Sequence, residues 1–87
     1  MNYRVRLESS AEHDLEHMSR DMLKRIDSKL TSLARNPRPR GSVKLQGREG
    51  TGWRVRAGNY RILYTIDDGS GTVSVYRIRP RGSAYRS

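Results

Sequence analysis

The sequence contains no cysteine. That absence excludes disulfide staples, a cysteine-built zinc site and a thiol nucleophile, and it fits a reducing cytoplasm. Apolar residues are scarce as well, at 33% of 87 positions. One domain over residues 1–87 is expected, folded around a thin core without covalent help. A partner that covers exposed apolar surface is another way to stabilise such a domain. No apolar run is long enough to span a membrane. Met1-Asn2-Tyr3-Arg4-Val5-Arg6 has no hydrophobic stretch behind its charges, so no secretory signal is expected and the expected location is cytoplasmic. No glycine-rich phosphate loop, serine–histidine–acid set or carboxylate pair stands out.

What is abundant is positive charge. Eighteen Lys+Arg against nine Asp+Glu give +9, with a sequence pI near 10.8. Such a balance points to a polyanionic partner, because neutralising phosphates releases condensed counterions. Arginine greatly outnumbers lysine, and arginine is the side chain that grips phosphate bidentately and stacks on bases. Acidic residues crowd the first half and are scarce from Asn36 onward. Nucleic acid is therefore the leading partner class and an acidic protein the second.

Periodicity supplies the elements. Tyr3, Val5 and Leu7 alternate with Arg4 and Arg6, as in a half-buried strand. Ser9-Ser10-Ala11-Glu12 reads as a capping box with Ser9 as the cap, opening a short helix whose stripe is Ala11, Leu15 and Met18. Met22, Leu23, Ile26, Leu30 and Leu33 recur at helical spacing up to Arg35, and Pro37 forces Asn36 out of helical space. The period then becomes two. Val43 and Leu45 suggest a strand, residues 53–57 and 60–66 two more, and residues 72–78 a last one before a polar, basic tail. The fold class is α+β, read as β-α-α-β-β-β: a helical hairpin packed on one face of a largely antiparallel sheet.

Gly58-Asn59 is a tight hairpin signal. Taken as a two-residue loop, it sets Ala57 opposite Tyr60, Arg56 opposite Arg61, Val55 opposite Ile62 and Trp53 opposite Tyr64. Arg54, Arg56 and Arg61 then share one face. Like charges opposed on a sheet cost roughly 0.2–1 kcal/mol per pair, a conflict sequences usually retain for a function. Solvated arginines splaying apart are the plainer explanation. The Trp53–Tyr64 stripe reads as core. Farther on come Arg77, Arg79, Arg81 and Arg86, with Tyr76 and Tyr85 among them: cations for phosphates and rings for unstacked bases, as single-stranded RNA binding needs. A frayed basic terminus is the bland alternative.

His13-Asp14-Leu15-Glu16-His17 matches the H-x-x-E-H pattern of inverted zinc peptidases. Its face lies opposite the Ala11-Leu15-Met18 stripe and is expected to look into water. No larger fold supplies a substrate cleft, so no catalytic metal is expected.

Several runs together resemble a family of toxins. They are Asn36-Pro37-Arg38-Pro39-Arg40 through Val43-Lys44-Leu45-Gln46-Gly47, Trp53 through Tyr64 with its Gly-x-Tyr-Arg-x-x-Tyr signature, and Val75 through Arg86. The chain is similar to the RelE/ParE superfamily of type II toxin–antitoxin systems over essentially its whole length, and to the RelE type within it. That resemblance implies a small RelE-like fold and a ribosome-dependent endonuclease that cleaves mRNA in the ribosomal A site without metal or cofactor. It also implies a cognate acidic, RelB-like antitoxin. The family's working positions fall here on Arg54, Arg56, Arg61, Arg79 and Tyr85, with Arg81, Arg77 and Arg86 as further RNA contacts. The resemblance assigns Arg61 and Arg56 to the phosphate, Arg79 to the leaving oxygen and Tyr85 to a base. Two alternatives stand beside it: a ParE-type toxin that inhibits DNA gyrase, which would not need this arginine set, and a non-catalytic RNA-binding module.

Overall fold

The computed structural model describes residues 2–80. Arg81, Tyr85 and Arg86 therefore lie outside the described residues. The chain runs β1 (Arg4–Leu7), α1 (Ser9–Leu15), α2 (Arg20–Arg35), β2 (Val43–Lys44), a 3-10 turn (Gly47–Glu49), β3 (Trp53–Ala57), β4 (Tyr60–Asp67) and β5 (Thr72–Pro80). The strands form one sheet in the order β1-β5-β4-β3-β2. Only β1 and β5 run parallel; the other neighbours are antiparallel. The sheet has one strand more than the shorthand β-α-α-β-β-β counts; the strand suggested at Val43 and Leu45 forms over Val43–Lys44 alone, paired with Trp53 and Arg54 at the edge.

Packing follows from which residues each element can hide. Ala11 of α1 and Ile26 and Leu33 of α2 meet Val55, Ala57, Ile62, Tyr64, Val73, Val75 and Ile78 of the sheet in one buried cluster. At about 1.5–3 kcal/mol per large apolar side chain, this single layer drives folding. Of the α2 stripe, Met22 and Leu30 pack at its border, whereas Leu23 is 37% exposed and stands outside it. Asn36 is extended, with φ −149°, as the proline after it requires.

The capping box at Ser9 does not form. Glu8 occupies the cap position without a side-chain cap bond, and its N–H donates to the Val75 carbonyl, which ties the helix entry to β5. The side-chain cap belongs to α2, where Ser19 Oγ accepts from the Met22 N–H at 3.2 Å. Helix α1 ends at Leu15, so Met18 packs against the core from beyond the helix.

A bulge in β5 decides which way the last strand's arginines face. Tyr64 pairs with Val75 and Leu63 with Arg77, leaving Tyr76 without a direct partner. Strict alternation after Val73 and Val75 would send Arg77 and Arg79 into the core. The extra residue restores Ile78 to the buried side and turns both arginines to the opposite face.

The far end of the sheet is tied by polar contacts. The buried Tyr64 hydroxyl donates to the Pro37 carbonyl at 2.7 Å, and burial pushes its pKa up to about 12. Arg38 grips Asp68 through both guanidinium nitrogens, at 2.9 and 3.3 Å. Its guanidinium also lies 5.5 Å from the centroid of the half-buried Trp53 ring. The Tyr3 hydroxyl donates to Asp68 at 2.6 Å. Arg38, and then Tyr3, hold the Asp68 carboxyl below its usual range, and the same carboxylate raises Tyr3.

Candidate nucleic-acid interface

The β3–β4 turn sets the register of the site. Gly58 has φ +60° and no non-glycine residue among those described has positive φ, the pattern of a type II′ turn with glycine first. A side chain at Gly58 would also meet the Met22 methyl at 2.9 Å, so the hairpin tip sits directly against α2. With the turn fixed, Ala57 pairs with Tyr60, Arg56 with Arg61, Val55 with Ile62 and Trp53 with Tyr64, as the sequence implied.

The row continues onto β5. Arg61 pairs with Arg56 on one side and with Arg79 on the other, so three arginines lie side by side across three strands. The next row is Arg54, Leu63 and Arg77. Adjacent strands lie about 4.8 Å apart, so the arginine row spans roughly 10 Å, the reach of a nucleotide or two of backbone. Arg56 and Arg79 are exposed, while Arg54, Arg61 and Arg77 are half-buried. The face is a preformed cluster of guanidinium donors able to grip a phosphodiester from several sides. Arginine is always protonated and a poor general base, so its contribution is charge and orientation.

Arg77 is not in a frayed tail but inside β5, 3.4 Å from the Asp14 carboxylate of α1. The same carboxylate oxygen accepts from the buried Ile78 N–H at 2.8 Å. One helical turn earlier, Ser10 Oγ donates to the Tyr76 carbonyl. Strand β1 stops pairing at Val75, and these two side chains of α1 satisfy the open edge of β5 beyond it. Tyr76 is also structural: its hydroxyl donates to the Thr51 carbonyl at 2.7 Å and accepts from the Thr51 N–H at 3.3 Å, which holds the loop before β3.

Two grooves flank the arginine face. One, of about 420 Å³, is lined by His13, His17, Tyr60, Arg77 and Arg79 among others. The histidine face of α1 is exposed, as the helix pattern suggested, and it borders the end of β5. One ligand atom from each of His13, Glu16 and His17 lies within 4.8 Å of the others. The second groove, of about 550 Å³, places Lys24, Arg25 and Lys29 of α2 beside Arg56. These α2 cations were missed in the sequence. Their signal was the i, i+4 spacing of Arg25 and Lys29 off the Ile26–Leu33 stripe.

Comparison with known proteins identifies relatives of the chain and of its fold. A family model described as ParE toxin of type II toxin-antitoxin system, parDE, matches residues 5–85. The chain is 33% identical over 87 residues to Toxin RelG of Mycobacterium tuberculosis, covering 99% of each. Among solved structures it is similar to the toxin–antitoxin complex RelBE2 of M. tuberculosis, with 30% identity, TM-score 0.82, and coverage of 93% of this chain and 100% of that one. An archaeal RelE–RelB complex from Pyrococcus horikoshii matches with 26% identity and TM-score 0.82, over 94% and 98% of the two chains. The chain belongs to the RelE/ParE family of toxins of type II toxin–antitoxin systems.

Proposed function

We propose that this toxin is a ribosome-dependent mRNA endonuclease acting in the cytoplasm and cutting mRNA in the ribosomal A site. The observation that carries the reading is the Arg56–Arg61–Arg79 row, with Arg54 beside it on the same face. Three opposed cations are costly unless an anion sits between them, and a phosphodiester is an anion of matching size. In the proposed reaction the ribose 2′-oxygen attacks the adjacent phosphorus, the bond to the 5′-oxygen breaks, and a cyclic phosphate and a 5′-hydroxyl result. Arg61 and Arg56 neutralise the charge that grows on the non-bridging oxygens, and Arg79 stabilises the leaving oxygen. The ribosome holds the codon in line for attack. By resemblance to the family, Arg54 belongs to the catalytic set with Arg56, Arg61 and Arg79, and Tyr85 stacks on an mRNA base; Arg77, Arg81 and Arg86 add contacts to the RNA.

The same reading assigns the toxin a RelB-like acidic antitoxin, since two of its structural relatives are toxins complexed with antitoxins. A +9 chain suits such a partner electrostatically. Gyrase inhibition is the second reading, and the ParE description of the matching family model is what favours it. Primer extension on a defined mRNA, naked or on ribosomes with an empty A site, separates the two. Cuts confined to the A-site codon of loaded ribosomes support the nuclease. No cuts in either setting, with loss of gyrase supercoiling, would establish the other reading.

A further inference from the structure

The motif that peptidase chemistry cannot use has a geometry of its own. Helix α1 ends at Leu15, and the chain tightens there: Glu16 N–H donates to the His13 carbonyl, three residues back. In such a turn residues i and i+3 eclipse, which brings Glu16 over His13. Their Nδ1 and Oε1 atoms are 3.3 Å apart. His17 follows at i+4 from His13, with the two rings edge to face and 6.1 Å between centroids.

These distances suit one ion. Zinc bonds to imidazole nitrogen and carboxylate oxygen are about 2.0–2.2 Å, so neighbouring donors of a tetrahedral site are roughly 3.3 Å apart. The His13–Glu16 pair already has that separation. The donors of all three residues lie within 4.8 Å, and all three are exposed, so rotation of these solvent-facing side chains closes a gap of at most about 1.5 Å (4.8 minus 3.3). Two imidazoles and one carboxylate select a borderline transition metal over Mg²⁺ or Ca²⁺, which prefer all-oxygen cages.

We propose that His13, Glu16 and His17 form a binding site for a Zn²⁺-class ion, with three protein ligands and the fourth position left to solvent. The site is not a peptidase centre, because Glu16 is spent as a ligand and no cleft presents a peptide. It clamps the last turn of α1 to the start of the α1–α2 connection and forms part of the wall of the groove that Arg77 and Arg79 line. The inference is independent of what the toxin cuts.

The test uses the untagged full chain, Zn²⁺ in calorimetry and Co²⁺ as a spectroscopic probe. One Zn²⁺ per chain, the intense visible absorption of four-coordinate Co²⁺, and a melting temperature that rises with Zn²⁺ are expected. Loss of an outer-shell partner alone weakens metal sites about 10–100-fold. His13→Ala and His17→Ala should therefore each weaken binding at least about tenfold while the circular dichroism spectrum is unchanged. Glu16→Gln should weaken it in the same direction. Binding that survives either histidine substitution, or no saturable binding at all, would overturn the site.

Discussion

If the arginine row is kept for function against its own electrostatics, removing one member should stabilise the fold. Arg56 is the cleanest choice. It is exposed, directly opposed to Arg61, and its loss opens no cavity. A directly opposed like-charge pair costs roughly 0.2–1 kcal/mol, so Arg56→Gln should gain stability in that range. For a domain of this size 1 kcal/mol moves Tm by about 4–8 °C, which predicts a rise of roughly 1–8 °C at low ionic strength. Screening then supplies the internal control. The Debye length falls from about 30 Å at 0.01 M salt to about 3 Å at 1 M, so most of the gain should vanish in concentrated NaCl. The assay is thermal unfolding of the two proteins at both ionic strengths. Activity should move the other way, with cleavage falling by about 10²-fold, the usual consequence of losing one preorganised donor to a developing anion. An Arg56→Gln protein that is less stable than wild type at low salt, or equally stabilised at both salts, would refute the electrostatic reasoning.

Other substitutions probe the frame around that face. Asp14→Ala removes a carboxylate that accepts from the buried Ile78 N–H. Loss of such a charge-assisted bond should cost about 2 kcal/mol and lower Tm by roughly 8–16 °C in a melting scan. Tyr64 is fully buried and its pKa is raised to about 12. Its stabilisation is complete below about pH 10, where the unfolded phenol begins to ionise, and is lost as pH rises towards 12. Two units correspond to about 2–3 kcal/mol, and urea titrations should find that alkaline limb flattened in Tyr64→Phe. Asp68 is the opposite case, since its carboxyl is held low mainly by Arg38. Its contribution is present above the ordinary carboxylate pKa and lost as pH falls through the lowered one, so acid titration of Asp68→Asn should lack that step.

Much of this site is legible in the sequence because a two-residue turn fixes a whole hairpin. Once Gly58-Asn59 is read as the loop, Arg56 must oppose Arg61 and Trp53 must oppose Tyr64, and both pairs form. The helix of residues 20–35 and its end before Pro37 are equally local, set by spacing and by one proline. What was not legible depends on contacts between distant segments. The β5 bulge at Tyr76 breaks the period of two, and only the demand that Val75 and Ile78 both reach the core reveals it. Ser9 had the right neighbours for a cap, yet Ser10 and Asp14 are the polar residues α1 needs, to satisfy the edge of β5. The histidines face a groove because α1 ends against β5, which helical periodicity alone cannot express. Lys24, Arg25 and Lys29 become neighbours of the arginine face only because the hairpin tip brings Arg56 beside them.

Arg61 stands in the middle of the guanidinium row proposed to act on RNA, so its removal is the sharpest probe of that role. Primer extension on mRNA in ribosomes with an empty A site should be run with wild type, Arg61→Ala and Arg79→Ala, each checked for native circular dichroism. Cleavage in the A-site codon by wild type is expected, falling at least about 10²-fold in both folded variants. Undiminished cleavage by either variant would contradict that role.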